Sequence, residues 1–246
     1  MTAPDTARRR APEARPQQIL DAALAEFGEQ GLAGARLDDI ARRAGVAKGT
    51  IYLYFANKEE LFRGVVRQTI VARLDDMRGE FGHPGEGSAT AQLRAYLHAW
   101  WDVLREPAFR TVYRLVVGEL HRFPELLAFY LDEVASRAMA LHADVIARGV
   151  ASGEFRPVDP HSVARIISST FITHALWTSA PLPPIAVVGD LSSDVVFAQL
   201  EAFVLHGLGV DPAPAAGAAP PRRPDARPAG APGDGPTSDA PGVRHS

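Results

Sequence analysis

The stretch LDDIARRAGVAKGTIYLYFANKEEL, residues 37–61, decides the reading of this chain. Its spacing predicts a helix from Leu37 to Ala44, a turn at Gly45 and a short second helix from Lys48 to Tyr54, the layout of a helix-turn-helix. Leu37, Ile40, Ala41, Ala44, Val46, Ile51 and Phe55 can close one apolar core beneath two crossing helices. Ala41 is small where those helices approach, and Gly45 accepts the backbone angles of a tight turn. Lys48, Gly49, Thr50, Tyr52 and Tyr54 are left on or beside an outward face of the size that enters a major groove. Gly49 lets that helix come close to bases, and the Tyr52 and Tyr54 hydroxyls can donate to phosphates. The plainer structural reading of the two tyrosines is surface packing. Lys58 adds charge at the next helix N-terminus, where backbone N–H groups also favour an anion.

The same window holds both lysines of the protein, Lys48 and Lys58, every other basic residue being Arg. Two residues placed at random would share such a window in roughly one case in a hundred. A compact ammonium on a flexible stem suits a phosphate contact. The whole chain gives no such hint: over 246 residues, 26 Lys and Arg stand against 29 Asp and Glu, a formal charge of −3. Any positive field for nucleic acid must therefore be local. Asp38 and Asp39 could be read as paired acid/base carboxylates, but they sit in the first turn of a helix, where the helix dipole favours negative charge.

Outward from this window the chain reads as all-α. A helix from about Pro16 to Gln30 carries Ile19, Ala22, Ala23 and Phe27 on one face and ends at Gly31. Asn57 and Glu60 have the spacing of a capping box opening a long helix to about Gly79. Further helices are expected over 88–105, 107–123, 124–152, 160–179 and 190–207, with Asp159 as N-cap and Pro160 at the first position of the helix over 160–179. That gives about nine helices. Residues 14–60 form a small three-helix DNA-binding domain with the helix-turn-helix, and residues 61–210 a larger domain of about six helices. Residues 1–13 and the Pro/Ala/Gly-rich residues 211–246 are expected to be disordered. With no Cys, disulfides and thiolate metal sites are excluded. The uncharged run 166–189 is broken by polar residues and three prolines, so no membrane span is expected. The N-terminus has no apolar signal region, and a cytoplasmic protein is expected.

AGVAKGTIYLYFANKEEL, together with ILDAALAEFGEQG before it, resembles the signature of TetR-type transcriptional regulators over about residues 16–65. The matching residues are Ile40-Ala41, Gly45-Val46, Gly49-Thr50, Tyr52, Phe55 and Lys58-Glu59-Glu60-Leu61. The resemblance implies an all-α homodimer that binds a palindromic double-stranded DNA operator, usually as a repressor, and releases it when a small molecule enters the C-terminal domain. It also implies that Lys48, Gly49 and Thr50 lie nearest the bases while Tyr52, Tyr54 and Lys58 hold phosphates. Three departures stand out. Arg36 occupies the N-cap of the first helix of the motif, losing a cap worth ~1 kcal/mol but gaining a possible phosphate contact. Ala47 replaces a frequent Ser before the recognition helix, and Leu53 stands where a second aromatic is common.

The larger half resembles the ligand-binding half of some members less closely, over 123–160. Its aromatics can line an apolar pocket, with Trp101, Tyr113, Phe171 and His174 as candidate effector contacts; the structural alternative is core or dimer interface. His83, His98, His121, His142 and His161 show no metal-ligand spacing, so neither metal nor cofactor is expected. Val163, Ile166, Ile167, Thr170, Phe171, His174 and Trp177, with Val196, Leu200, Phe203 and Gly207, give the last two helices wide apolar surfaces suited to a four-helix dimer interface. The expectation is a ligand-responsive DNA-binding regulator, a repressor released by a small apolar or amphipathic molecule, and not an enzyme. The alternatives are an activator or ligand-independent regulator and, from another class, an all-α binding or enzymatic protein whose helix-turn-helix is only structural.

Overall fold

Helical periodicity runs through nearly the whole chain, and the computed structural model, which describes residues 14–179 and 191–209, is built from nine helices over those residues. The segments 1–13 and 211–246 expected to be disordered, the Pro181–Pro184 loop and Asp190 lie outside the described residues. In chain order the helices are α1 (Ala14–Gly34), α2 (Leu37–Ala44), α3 (Lys48–Tyr52), α4 (58–81), α5 (Ala89–Arg105), α6 (Pro107–Glu119), α7 (124–151), α8 (Pro160–Ser179) and α9 (Ser193–Gly207). No described residue is in a strand. No helix among them is long and apolar enough to cross a membrane.

Local chemistry sets most of the ends. Ile19, Ala22, Ala23 and Phe27 are all buried, as their spacing on α1 requires. At Gly31 the chain takes φ 73° and ψ 168°, which interrupts the helix there, as expected, but one more turn continues to Gly34. Gly45 takes the left-handed conformation, φ 67°, and its N–H reaches back to the carbonyls of Ala41 and Arg42, closing α2. Asn57 caps α4 by accepting the Glu60 N–H at 2.7 Å. The other half of the expected capping box is missing, because the Glu60 carboxylate pairs with Arg63 at 2.7 Å instead. Asp159 caps α8 by accepting the Ser162 N–H at 2.9 Å. Two bonds from Ser162, from its hydroxyl first and then its N–H, hold that carboxyl below its ordinary pKa.

Two long helices carry features that periodicity does not reveal. A π-helical segment, Arg67–Val71, lies inside α4 and another, Leu131–Ser136, inside α7. Arg67 links them: its guanidinium lies 3.6 Å from Glu133 and 5.0 Å from the centre of the Phe129 ring. Each extra residue shifts the faces of the turns that follow, and such segments recur at functional positions. The helix expected over 107–123 ends sooner, at Glu119, and passes into a 3-10 turn, Leu120–Arg122.

Every helix contributes to one continuous buried cluster that runs from Ile19 on α1 through Ile40, Ile51, Leu61, Leu93, Phe109, Leu126 and Ile167 to Val196 on α9. The boundary expected between residues 60 and 61 falls in the first turn of α4. Phe27 meets Phe62 edge-on at 5.8 Å, joining α1 to α4.

The end of α1 is held from two sides. Glu119, the last residue of α6, accepts the Ala33 N–H at 3.0 Å. Lys58, the first residue of α4, donates to the carbonyls of Ala33 and Ala35 at 3.0 and 3.1 Å. A methyl group at Gly31 would lie 2.4 Å from a Glu119 carboxylate oxygen, besides the strain of its positive φ. Gly31→Ala is therefore expected to lower stability by roughly 2 kcal/mol, read as a reduced midpoint in urea with an unchanged slope; an unshifted midpoint would mean that this grip contributes nothing.

Candidate nucleic-acid interface

Ile40, Ala41 and Ile51 are buried beneath the helix-turn-helix, and Leu37, Ala44, Val46 and Phe55 pack partly buried against them. The first helix of the motif, α2, runs from Leu37 to Ala44 as read from the sequence. The recognition helix α3 is shorter than expected, ending at Tyr52, with Leu53 and Tyr54 in the turn that follows. Arg36 and Ala47 stand at the N-caps of α2 and α3, and neither supplies a side-chain cap. Thr50, in the first turn of α3, is half-buried.

The outward face is apolar and hydroxyl-bearing rather than densely charged. Tyr52, Leu53 and Tyr54 are 50%, 79% and 41% exposed. A side chain at Gly49 would meet nothing within 4 Å, so that point of α3 is open to close approach. Arg36, at the N-cap of α2, is exposed. Beside the turn, a cleft of about 470 Å³ is lined by Arg15, Gln18, Ala44, Gly45, Val46, Ala47 and Thr50. Arg15 and Gln18 on α1 thus join the face; no motif spacing singles them out, since they sit about thirty residues earlier.

The cations of the motif already have anionic partners. Lys48 lies 3.0 Å from Asp38, with both side chains about half exposed. Arg42 lies 2.6 Å from Asp39. Arg43 makes a two-pronged contact with Glu29 at 2.7 and 2.5 Å and lies 3.6 Å from the buried Glu26, which ties α2 to α1. The hydrogen bond from Arg43 holds Glu29 below its ordinary pKa. An exposed pair of the Lys48–Asp38 kind is worth about 0–1 kcal/mol, so Lys48 can leave it for a phosphate or a base edge at small cost. Asp38 is a partner that the sequence reading missed; its ten-residue separation from Lys48 across the turn is the signal that could have found it.

Lys58 differs from expectation. Two of the three donors of its ammonium are engaged by the Ala33 and Ala35 carbonyls, so it braces the entry to α2 before it can meet a phosphate with the third.

The four expected effector contacts lie among the aromatic contacts of the larger half. Trp101 and Phe171 are buried and meet edge-on at 5.9 Å, each packed also against Phe197 of α9. Tyr113, half-buried, stacks on Phe109 at 5.9 Å. The His174 ring nitrogen Nδ1 lies 2.9 Å from the Thr170 carbonyl, and the ring packs at 5.5 Å against Trp177. The surfaces of the last two helices also divide. Ile167, Phe171, Val196 and Leu200 face the subunit's own core, whereas Ile166 and Phe203 are 53% and 69% exposed.

A polar cluster in the core escaped the sequence reading. His142 of α7 is buried, with Nδ1 2.5 Å from the Ala138 carbonyl and 2.9 Å from the Tyr96 hydroxyl of α5. Burial pushes its pKa down to about 4. The 46 residues between Tyr96 and His142 leave no local signature of this pairing. Among the described residues there is no group of three or more His, Cys, Asp or Glu able to hold a metal.

The chain matches the profile of the family described as "Bacterial regulatory proteins, tetR family" over residues 19–65, and that of "Tetracyclin repressor-like, C-terminal domain" over 83–189. It is similar to the HTH-type transcriptional regulator RutR of Escherichia coli (strain K12), 34% identical over 170 residues that cover 66% of this chain and 75% of that protein. It is also similar to the HTH-type transcriptional repressor KstR2 of Mycolicibacterium smegmatis, 28% identical over 210 residues, 84% of this chain and 95% of that one. Among solved structures, the transcriptional regulator FadR of Bacillus subtilis in complex with stearoyl-CoA shares the fold with a TM-score of 0.61 at 21% identity, over 78% of this chain and 98% of that one.

Two outcomes check this geometry. Lys58→Met is expected to lower stability by about 1 kcal/mol through the two lost carbonyl contacts, read in urea without DNA; an unchanged midpoint would return Lys58 to a purely phosphate-facing part. His142 is neutral in the fold and titrates near 6.5 when unfolded, so unfolding takes up a proton as pH falls from about 6.5 to 4. Stability should fall across that window, with no further loss from this group below it. His142→Leu should show a flatter dependence there, measured by thermal unfolding against pH.

Proposed function

The chain belongs to the TetR family of bacterial regulatory proteins, and from that premise we propose that it acts in the cytoplasm as a homodimeric, ligand-responsive repressor of a palindromic operator. The observation that carries the reading is the open face of α3, with Gly49 unobstructed, Tyr52, Leu53 and Tyr54 exposed, and Lys48 held only by a weak, exchangeable pair. Such a face suits a major groove: Lys48, Gly49 and Thr50 stand nearest the bases, and Arg36, Tyr52, Tyr54 and the third donor of Lys58 reach phosphates. Two copies are needed to span successive major grooves, which lie ~34 Å apart. Ile166 on α8 and Phe203 on α9 supply outward apolar side chains for an isologous contact between copies.

A regulator relieved by ligand needs a domain with two arrangements of unequal ligand affinity, one of which mis-spaces the two motifs. The bulk of the chain, α4 to α9, is available for that part. Relatives include a named repressor, KstR2, which favours repression over activation.

A mobility shift with the DNA flanking the protein's own gene, at fixed salt, tests the core of this reading. Saturable, sequence-dependent binding is expected, and its absence would overturn it. Lys48→Ala should weaken binding and alter sequence preference. Phe203→Glu should convert a sedimenting dimer into a monomer and remove operator binding; a dimer that persists would place the interface elsewhere.

A further inference from the structure

Buried polar groups are nearly always paired, so each exception in a core calls for a reason. Among the described residues, Trp100 Nε1 and His142 Nε2 are both buried without a hydrogen-bond partner. They belong to one aromatic cluster. Tyr96 and Trp100 share a face of α5, one turn apart, and both rings meet the His142 ring edge-on, at 5.3 and 4.9 Å between centres. The Ala138 carbonyl, 2.5 Å from His142 Nδ1, can only accept, so the imidazole proton sits on Nδ1. His142 Nε2 is therefore a bare acceptor, and Trp100 Nε1 is a donor. Burial disfavours the imidazolium, which keeps Nε2 unprotonated at neutral pH. Among the described residues no Arg or Lys stacks on the Tyr96 or Trp100 ring and no ion pair involves His142, whereas aromatic surface continues outward: Trp100 meets Phe109 at 6.3 Å, and Phe109 stacks on the half-buried Tyr113 at 5.9 Å.

We infer that His142 Nε2 and Trp100 Nε1 are the polar end of the effector site, and that they take an uncharged molecule whose single polar group, a hydroxyl or a carboxamide, both donates and accepts, with its apolar body directed along Phe109 toward Tyr113. The inference rests on the ligand-responsive reading. Two features select this class. An acceptor and a donor on rings whose centres lie 4.9 Å apart suit a group that is itself both, and the absence of a cation stacked on these rings makes a buried carboxylate or phosphate costly. In the present arrangement the site is closed, so ligand selects a form in which α5, α6 and α7 part around it. Tyr96, whose hydroxyl lies 2.9 Å from Nδ1, is a positioning residue that holds the ring, while the Ala138 carbonyl fixes the tautomer.

The test uses the intact dimer and three probes: benzamide, benzyl alcohol and benzoate. The protein has three Trp, so its indole N–H signals are few, and Trp100→Phe assigns the relevant one. Benzamide or benzyl alcohol at millimolar concentration is expected to shift the Trp100 indole N–H saturably and to move the His142 Nε2 resonance in selectively labelled wild-type protein; benzoate is expected to move neither. His142→Leu should weaken benzamide binding about tenfold, as loss of one buried hydrogen bond does. The inference is overturned if neither neutral probe shifts the Trp100 signal, which would leave a buried water as the partner of the pair. It is equally overturned if benzoate binds as well, or if the Nε2 resonance stays fixed at saturation, a readout that needs no variant to fold. Operator binding is measured separately on the same sample. Failure of the probes with operator binding intact removes this site alone, while failure of operator binding removes the regulator itself.

Discussion

Residues 31–35 are the hinge on which the molecule turns. They carry the chain from α1 into α2, and so set where the recognition helix stands relative to the rest of the protein. Three backbone groups in that short span are held by charged side chains: the Ala33 N–H by Glu119, and the Ala33 and Ala35 carbonyls by Lys58. Charge-assisted bonds to backbone are among the stronger ones available to a surface segment. Glu119 ends a helix whose other neighbours belong to the larger helical body, while Lys58 begins the helix that follows the motif. The grip thus joins the two functional halves through the short segment from Ala33 to Ala35, and Gly31 is the residue whose lack of a side chain lets the carboxylate come in.

The face proposed to bind DNA answers a problem posed by a chain of net charge −3. Its cations are not left bare: Lys48, Arg42 and Arg43 each rest against a carboxylate. These pairs are of unequal strength. Arg43 is fixed by two oxygens of Glu29 with Glu26 behind it, and functions as a strut between α1 and α2. Lys48 has one exposed partner, and the free energy of exchanging it for phosphate is small. The strut and the exchangeable cation are thus different residues within a few positions of one another.

The sequence exposed what is local and periodic. The helix-turn-helix core, the αL turn at Gly45, the Asn57 and Asp159 caps and the order of nine helices all follow from patterns a few residues long. The reading failed where partners are distant in sequence. Nothing local pairs Tyr96 with His142, Glu119 with Ala33, or Lys58 with the end of α1. The same limit explains why residue type could nominate Trp101, Tyr113, Phe171 and His174 together without showing that Trp101 and Phe171 meet across Phe197 while Tyr113 stacks on Phe109. It also explains why four of the eleven residues expected on the dimer surface, Ile167, Phe171, Val196 and Leu200, turned inward: one helix offers two apolar faces, and periodicity cannot say which one meets its own subunit. The two π-helical segments are likewise invisible to a 3.6-residue period.

The scarcity of lysine has a chemical consequence. Apart from the N-terminal amine, every amino group in the chain lies in the helix-turn-helix or at its edge, on Lys48 and Lys58. Their surroundings differ sharply, one ammonium in an open pair with Asp38 and the other engaged by two carbonyls. Acylation at side-chain nitrogen, whether by a reagent or by an acyl donor in the cell, therefore has only these two addresses. It would cancel positive charge on the face proposed to meet DNA while leaving every arginine of the helical body untouched, and Lys48, the less encumbered amine, would react first.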